Sequence, residues 1–303
     1  KDIVEFRLTK PSAIFLKQLA VADCAVLKLD DYRKDPDFSS ESGFSGPYKV
    51  VKDLRDGKVA VEKWRTDSLE SARPPMRVFY FMTDRKPFDL AIADETDTLD
   101  HDPISEDEKK KLFSRGWAAT PTELSGEVFV VLNPDTVSLA TREVLYSSVD
   151  PSQLHQALAL DSYRPAFGLI PFSLPGELSS SDVSDISEGK PSPLKKRQVV
   201  TMDYESTSDL EAKIAKYLQV RWSTFNIEVI LNPLPKGEKL QKLFGKKSQI
   251  IIGRKAMDYP DGFSVLGYFK GNYESNYFYV NDHAIDSALG HALEEIDSKR
   301  REG

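Results

Sequence analysis

Between residues 198 and 252 the chain alternates short β-rich runs with amphipathic ones, and this pattern constrains the fold more than any other feature of the sequence. Residues 198–203 read as a strand. Ser206 and Ser208 can cap a following helix, whose apolar positions Leu210, Ile214, Tyr217, Leu218, Trp222 and Phe225 return on one face. Residues 227–231 read as a strand, 238–244 as a short helix and 249–252 as a strand. Strands alternating with helices are the signature of a sheet covered by helices. Helices over residues 261–269 and 284–300 close the chain, the second with Ile285, Leu289, Ala292 and Ile296 on one side.

The earlier half reads differently. Residues 3–8 alternate as a strand, 11–26 read as a helix running into an apolar stretch, and 34–46 are a polar loop. Strand-like runs follow at 48–52, 59–64 and 78–82, with Asp56-Gly57 as a hairpin turn between the first two. Further short strands are expected at 88–93 and 128–132. Two helices then occupy 138–149 and 150–160, the second capped by Asp150 with Pro151 at its first position. Residues 177–193, rich in Ser, Asp and Pro, read as a linker, because Leu178, Val183 and Ile186 follow neither period. A strand-rich part to about residue 132 and an alternating α/β part after it make the expected organisation.

Composition excludes several classes. The 303 residues suffice for one large domain or two ordinary ones, and 40% hydrophobic with 29% charged residues is ordinary for a globular protein. A net charge of −7 argues against nucleic acid as partner, since the basic clusters at Lys195-Lys196-Arg197 and Lys299-Arg300-Arg301 are short. Cys24 is the only cysteine, which rules out an intrachain disulfide, and its apolar neighbours suit a buried small side chain. No run of about 18 apolar residues is present. The chain starts at Lys1 in mid-pattern, as a processed protein or an excised piece would.

The candidate site follows the apolar run 249–253. Met257-Asp258-Tyr259-Pro260-Asp261 places two carboxylates where a strand ends, because Pro260 has no N–H to continue a ladder. The carboxyl end of a strand is where open α/β sheets hold ligands; an acidic turn without a ligand is the alternative. Tyr259, Phe263, Tyr268, Phe269, Tyr273, Tyr277, Phe278 and Tyr279 lie close by among Asn and Asp residues. Such rings suit either the wall of a small-ligand cleft or plain core packing. His101, His155, His283 and His291 have no metal spacing. The acidic run 94–100 lacks the central Gly and closing Glu of a calcium loop. No nucleophile, base and orienter assemble, so no enzyme and no cofactor is expected.

Several segments, in order, resemble the extracellular solute-binding proteins of the peptide and nickel class of ABC importers. Gly46-Pro47-Tyr48-Lys49-Val50 and Val59-Ala60-Val61-Glu62-Lys63-Trp64 resemble that family's Gly-Pro-Tyr strand and its hairpin partner. Phe88-Asp89-Leu90-Ala91, the helix from Thr141 to Asp150, Gly168-Leu169-Ile170-Pro171 with Leu174-Pro175-Gly176, Asp258-Tyr259-Pro260-Asp261, and the stretch from Asn276 to Asp286 resemble further family segments.

The resemblance implies an α/β, two-lobed periplasmic-binding-protein-like (type II) fold with mixed sheets flanked by helices, incomplete at both ends because family members are longer. It implies the end of a small extra domain at 1–42, a strand-rich first-lobe segment at 43–132 and an α/β second lobe at 133–303. The implied function is the substrate-binding component of an importer, which captures a peptide or similar solute between its lobes and delivers it to a membrane permease. A sensor or regulatory domain of the same fold is the alternative. The implied location is periplasmic or extracellular, with attachment through the permease or a lipid anchor outside this chain. In peptide-binding members the first Asp of the Asp-Tyr-Pro-Asp turn accepts the ligand's α-amino group, which implies Asp258 here. Tyr259, Asn276 and Tyr277 join it as candidate ligand-binding residues. The family's usual Trp, three residues before that Asp, is replaced by Lys255 with Arg254 beside it. These two cations either select an acidic ligand or pair internally. Strand edges opened by absent segments would let two copies pair as a homodimer.

Overall fold

The structure of the protein, a computed structural model, describes residues 5–21, 29–34, 48–51, 58–63, 77–81, 86–99, 104–119, 125–172, 174–184, 191–271, 273, 276–297 and 300–301. The chain divides into two compact units, Lys1–Val21 with Ala119–Gly303, and Ala22–Ala118. Cys24 and the expected turn at Asp56-Gly57 lie outside the described residues.

The chain enters the first of these units through α1 (Phe15–Leu19), the helical part of the stretch 11–26, of which residues 22–26 lie outside the described residues. The strand expected over 3–8 does not form among its described residues 5–8. Phe6 and Leu8 are 55% and 47% exposed there, with no neighbouring strand to bury either face.

Ala22–Ala118 holds α2 (Leu29–Lys34), then β1 (Tyr48–Val51), β2 (Lys58–Lys63) and β3 (Arg77–Phe81) in an antiparallel sheet of that order. Next come α3 (Pro87–Ile92) and α4 (Glu106–Ser114). The expected strand at 88–93 is thus a helix. Pro87 sits at its first turn, where a missing N–H costs nothing, and Asp89 complements the helix's positive end. Phe88, Ala91 and Ile92 then share one side and pack with Ile104, Leu112 and Trp117. Helix α4 begins at a capping box, in which Ser105 Oγ accepts from Glu108 N and Glu108 Oε2 accepts from Ser105 N.

The other unit is built on β4 (Gly126–Leu132), β5 (Gln198–Glu205), β6 (Ile227–Leu234) and β7 (Ile250–Ala256), in spatial order β4-β7-β5-β6. Strand β5 runs parallel to both β6 and β7, while β4 is antiparallel to β7. Helices α5 (Leu139–Ser147) and α6 (Pro151–Leu158) follow β4, and α7 (Ser180–Ser184) is a single turn inside the expected linker. As the sequence indicates, Asp150 caps α6, its Oδ1 accepting from Ser152 N at 2.8 Å. Helix α8 (Asp209–Ser223) links β5 to β6, and α9 (Lys236–Phe244) links β6 to β7. After β7 come α10 (Phe263–Leu266), a 3-10 turn at Gly267–Phe269 and α11 (His283–Glu294). Helix α11 stops short of residue 300 because the N-terminal segment meets its end. Ala13 N donates to Leu293 O at 2.9 Å, and Lys10 pairs with Glu294.

The two faces of this sheet carry separate cores. On one, Val200, Met202, Ile250 and Ile252 pack with Leu145 of α5 and with Ile214, Leu218 and Trp222 of α8. On the other, Phe129, Val131 and Ile251 pack with Leu243 of α9 and Tyr277. The alternation follows from the period of two along a strand. Among the described residues no helix is long and apolar enough to cross a membrane.

Candidate functional site

Strand β7 carries the two neighbouring cations to different places. Arg254 and Lys255 are consecutive in an extended strand, so their side chains leave opposite faces of the sheet. In the antiparallel ladder Arg254 lies opposite Val128, Lys255 opposite Glu127 and Gly253 opposite Phe129. Glycine is required at 253, since a Cβ there would lie 2.4 Å from the Phe129 ring.

Arg254 enters a buried cluster at the carboxyl ends of the parallel strands. Helices α8 and α9 pack on opposite faces, and the crevice between the ends of β5 and β7 is the topological switch point of the sheet. Here the crevice is filled by the protein's own charges. Glu211, fully buried in the first turn of α8, receives Lys239 Nζ of α9 at 2.7 Å and Arg254 Nε at 3.2 Å. Its second oxygen accepts from Glu205 N at 2.7 Å. Glu205 in turn lies 3.4 Å from Lys239 and 3.7 Å from Arg254. Beside this cluster the Asp203 carboxylate, 2% exposed, is held by Ser248, Asn232 and Lys242. Arg254 therefore serves internal pairing.

Lys255 lies on the other face. Its Nζ is 2.8 Å from Asp258 Oδ2 and 5.1 Å from the centroid of the Tyr268 ring. Burial opposes its charge, but the hydrogen bonds to Asp258 and Tyr268 outweigh that, and the ammonium is held above its ordinary value. The Asp258 side chain is 54% exposed, and its backbone N donates to Ser264 Oγ at 2.7 Å. Tyr268 meets Tyr273 and Tyr277 at centroid distances of 5.5 and 5.4 Å, so Lys255, Asp258 and Tyr277 belong to one neighbourhood. Tyr277 is 4% exposed and closes the core behind that wall against Phe129, and burial pushes its phenol well up. Asn276 is also buried, its Nδ2 donating to the carbonyls of Lys270 and Val280, which pins the loop that carries Tyr277. Its Oδ1 has no partner among the described residues.

The turn itself is braced from both chain ends. Asp261, 3% exposed, receives Lys17 Nζ at 2.7 Å and Arg301 Nη2 at 2.9 Å, while Phe263 N donates to its other oxygen. Tyr259 is half-buried; burial pushes its phenol up, and a hydrogen bond from the Gln18 side opposes this. Of the two carboxylates expected to face a crevice, only Asp258 is exposed; Asp261 is a brace. Burial alone would raise the Asp261 pKa, but Lys17, Phe263 N and Arg301 together hold it below the ordinary value. A carboxyl lowered on folding stabilises above its unfolded pKa, about 3.9, and that contribution is lost as pH falls through the folded value. Urea midpoints at pH 6 and pH 3 should therefore show a wide gap between wild type and Asp261→Asn that narrows at pH 3. An unchanged gap would remove Asp261 from the acid dependence.

Sequence reasoning missed Glu127, Glu205, Glu211 and Lys239. Ser208-Asp209-Leu210-Glu211 carries the spacing of a capping box, and Ser208 does accept from Glu211 N at 3.3 Å. The Glu211 side chain, however, turns to Glu205 N and the two cations. Glu127 left no sequence signal, because its role depends on the register of β4 against β7.

No family model and no curated protein sequence matches this chain. Solved structures do. The Escherichia coli murein tripeptide binding protein MppA is 18% identical with a TM-score of 0.71, over 98% of this chain and 62% of its own. Haemophilus influenzae OppA, in complex with the peptide RPPGFSPFR, is 14% identical with a TM-score of 0.70, over 97% and 62%. AgaA from Agrobacterium tumefaciens, in complex with agropinic acid, is 16% identical with a TM-score of 0.69, over 97% and 63%. The chain spans about three fifths of the length of these structures and has the fold of that part of a two-lobed periplasmic binding protein.

Proposed function

We propose that this chain is the ligand-binding part of the substrate-binding component of an ABC importer, which captures a peptide or similar small solute and passes it to a membrane permease. The role is capture, without catalysis, at the periplasmic or extracellular side. In this reading the first-lobe segment starts at 43 and the second lobe runs to 303, with β4, which pairs with β7, on the second lobe's side of the boundary and 1–42 ending a small extra domain. The observation that carries it is Asp258. Its carboxylate is exposed at the carboxyl end of β7, beside Tyr268 with Tyr277 buried behind it, in a chain that shares its fold with peptide-binding proteins. A carboxylate so placed accepts charged hydrogen bonds from a ligand ammonium. Tyr259 and Asn276 hold the surrounding loops, and Lys255 sets the local charge, while Arg254 is paired on the opposite face. The outer strand β6, where Ile230 is 52% exposed, is where two copies would pair.

Native mass spectrometry of the protein mixed with a pool of short peptides tests the reading. A retained peptide should bind about tenfold to a hundredfold more weakly to Asp258→Ala, the loss expected for one charged hydrogen bond. Equal retention by both proteins would remove Asp258 from the site.

A further inference from the structure

Lys255 stands between two carboxylates. One is Asp258, its partner at 2.8 Å in this structure. The other is Glu127, its direct partner across the β4–β7 ladder, so both side chains rise from the same face with their Cβ atoms about 5 Å apart. Glu127 is half-buried and has no ion pair among the described residues. Burial first, and the neighbouring Glu177 second, push its carboxyl up to about 7. Lys255 lies across the ladder from it and Glu177 beside it, with Asp258 and Tyr268 beyond Lys255; Arg254 lies on the opposite face.

Resting on the reading of Asp258 as an ammonium acceptor, we propose that Lys255 is a tethered competitor for Asp258: a ligand's ammonium takes its place there, and Lys255 crosses the ladder to Glu127. Two ion pairs then replace one. The ligand ammonium neutralises Asp258, Lys255 neutralises Glu127, and the proton held by Glu127 leaves to solvent. Capture of an ammonium-bearing ligand therefore releases a proton whenever Glu127 begins protonated. A solute without an ammonium cannot displace Lys255, which makes Lys255 a specificity-determining residue.

The exchange is tested without any ligand by following the Glu127 carboxyl with carbon NMR as pH is varied. In wild type it should titrate near its raised value. In Asp258→Asn, which frees Lys255, the midpoint should fall by at least about one pH unit, and Lys255→Met added to that variant should restore it. An unchanged Glu127 midpoint in Asp258→Asn, with far-UV circular dichroism showing the fold intact, would overturn the exchange. As a second arm, tri-alanine binding by calorimetry in buffers of different ionisation enthalpy should show proton release near pH 6. Affinity should be roughly tenfold weaker at pH 6 than at pH 7.5, and the pH dependence should vanish in Lys255→Met. Failure of tri-alanine to bind would count against the peptide reading, and the NMR comparison would still decide the exchange.

Discussion

Replacing Glu211 by Ala is expected to lower the stability of the protein by about 3–5 kcal/mol, the usual cost of removing one partner from a buried ion pair. Glu211 is fully buried and satisfies three donors at once: Lys239 Nζ, Arg254 Nε and Glu205 N. Without it the Lys239 ammonium, whose side chain is 4% exposed, keeps only Glu205 at 3.4 Å, and the Glu205 amide loses its acceptor. Against a total of about 5–15 kcal/mol for a typical domain, that is a large share. Urea denaturation read at constant slope measures it. The double variant Glu211→Ala/Lys239→Met should recover part of the loss, because no unpaired ammonium is left behind. A loss under about 1 kcal/mol for the single variant would mean that neighbouring groups replace Glu211, and that the cluster is not what closes the crevice.

Trp222→Ala should be comparably severe, about 3–5 kcal/mol, through a different mechanism. Trp222 is 2% exposed on α8, among Leu145, Val200, Met202 and Ile250, and its Nε1 donates to the Leu145 carbonyl at 3.1 Å. The ring thus docks α8 on α5 as well as on the sheet. Truncation leaves a large cavity and leaves the Leu145 carbonyl to Ser148 Oγ at 3.3 Å, whereas Trp222→Phe keeps most of the volume and should cost about 1–2 kcal/mol, more narrowly tied to the lost hydrogen bond. If the two variants unfolded at the same urea concentration, the packing account of α8 would be wrong.

Much of the sheet could be read from the sequence because its signals are local. The strands at 198–205, 227–234 and 250–256 and the helix between the first two announce themselves by period, and Asp150-Pro151 announces α6 by its caps. The stretch at 88–93 misled because Phe88, Leu90 and Ile92 satisfy a period of two while Phe88, Ala91 and Ile92 satisfy a helical one. Short apolar runs fit both, and Pro87 was the deciding residue. The charges were less legible still. Arg254 and Lys255 are alike in sequence, yet strand parity sends one to Glu211 and the other to Asp258. Asp258 and Asp261 likewise look equivalent in the turn. Only the arrival of Lys17 and Arg301 from the two chain ends makes Asp261 a brace and leaves Asp258 open.

The antiparallel pairing of β4 with β7 also sets a timetable. As the chain leaves the ribosome, Val128-Phe129-Val130-Val131-Leu132 emerges long before Ile250-Ile251-Ile252, the segment it must pair with. Five consecutive apolar residues without a charge or a proline then wait while β5, α8, β6 and α9 are still being made, which is the kind of exposed strand on which nascent chains aggregate. Until β7 arrives, Glu127 is the charge adjoining that strand, and a carboxylate ionised in the open chain acts there as a gatekeeper against self-association. The same side chain whose carboxyl burial later pushes up across the ladder from Lys255 thus first serves the open chain as its charge.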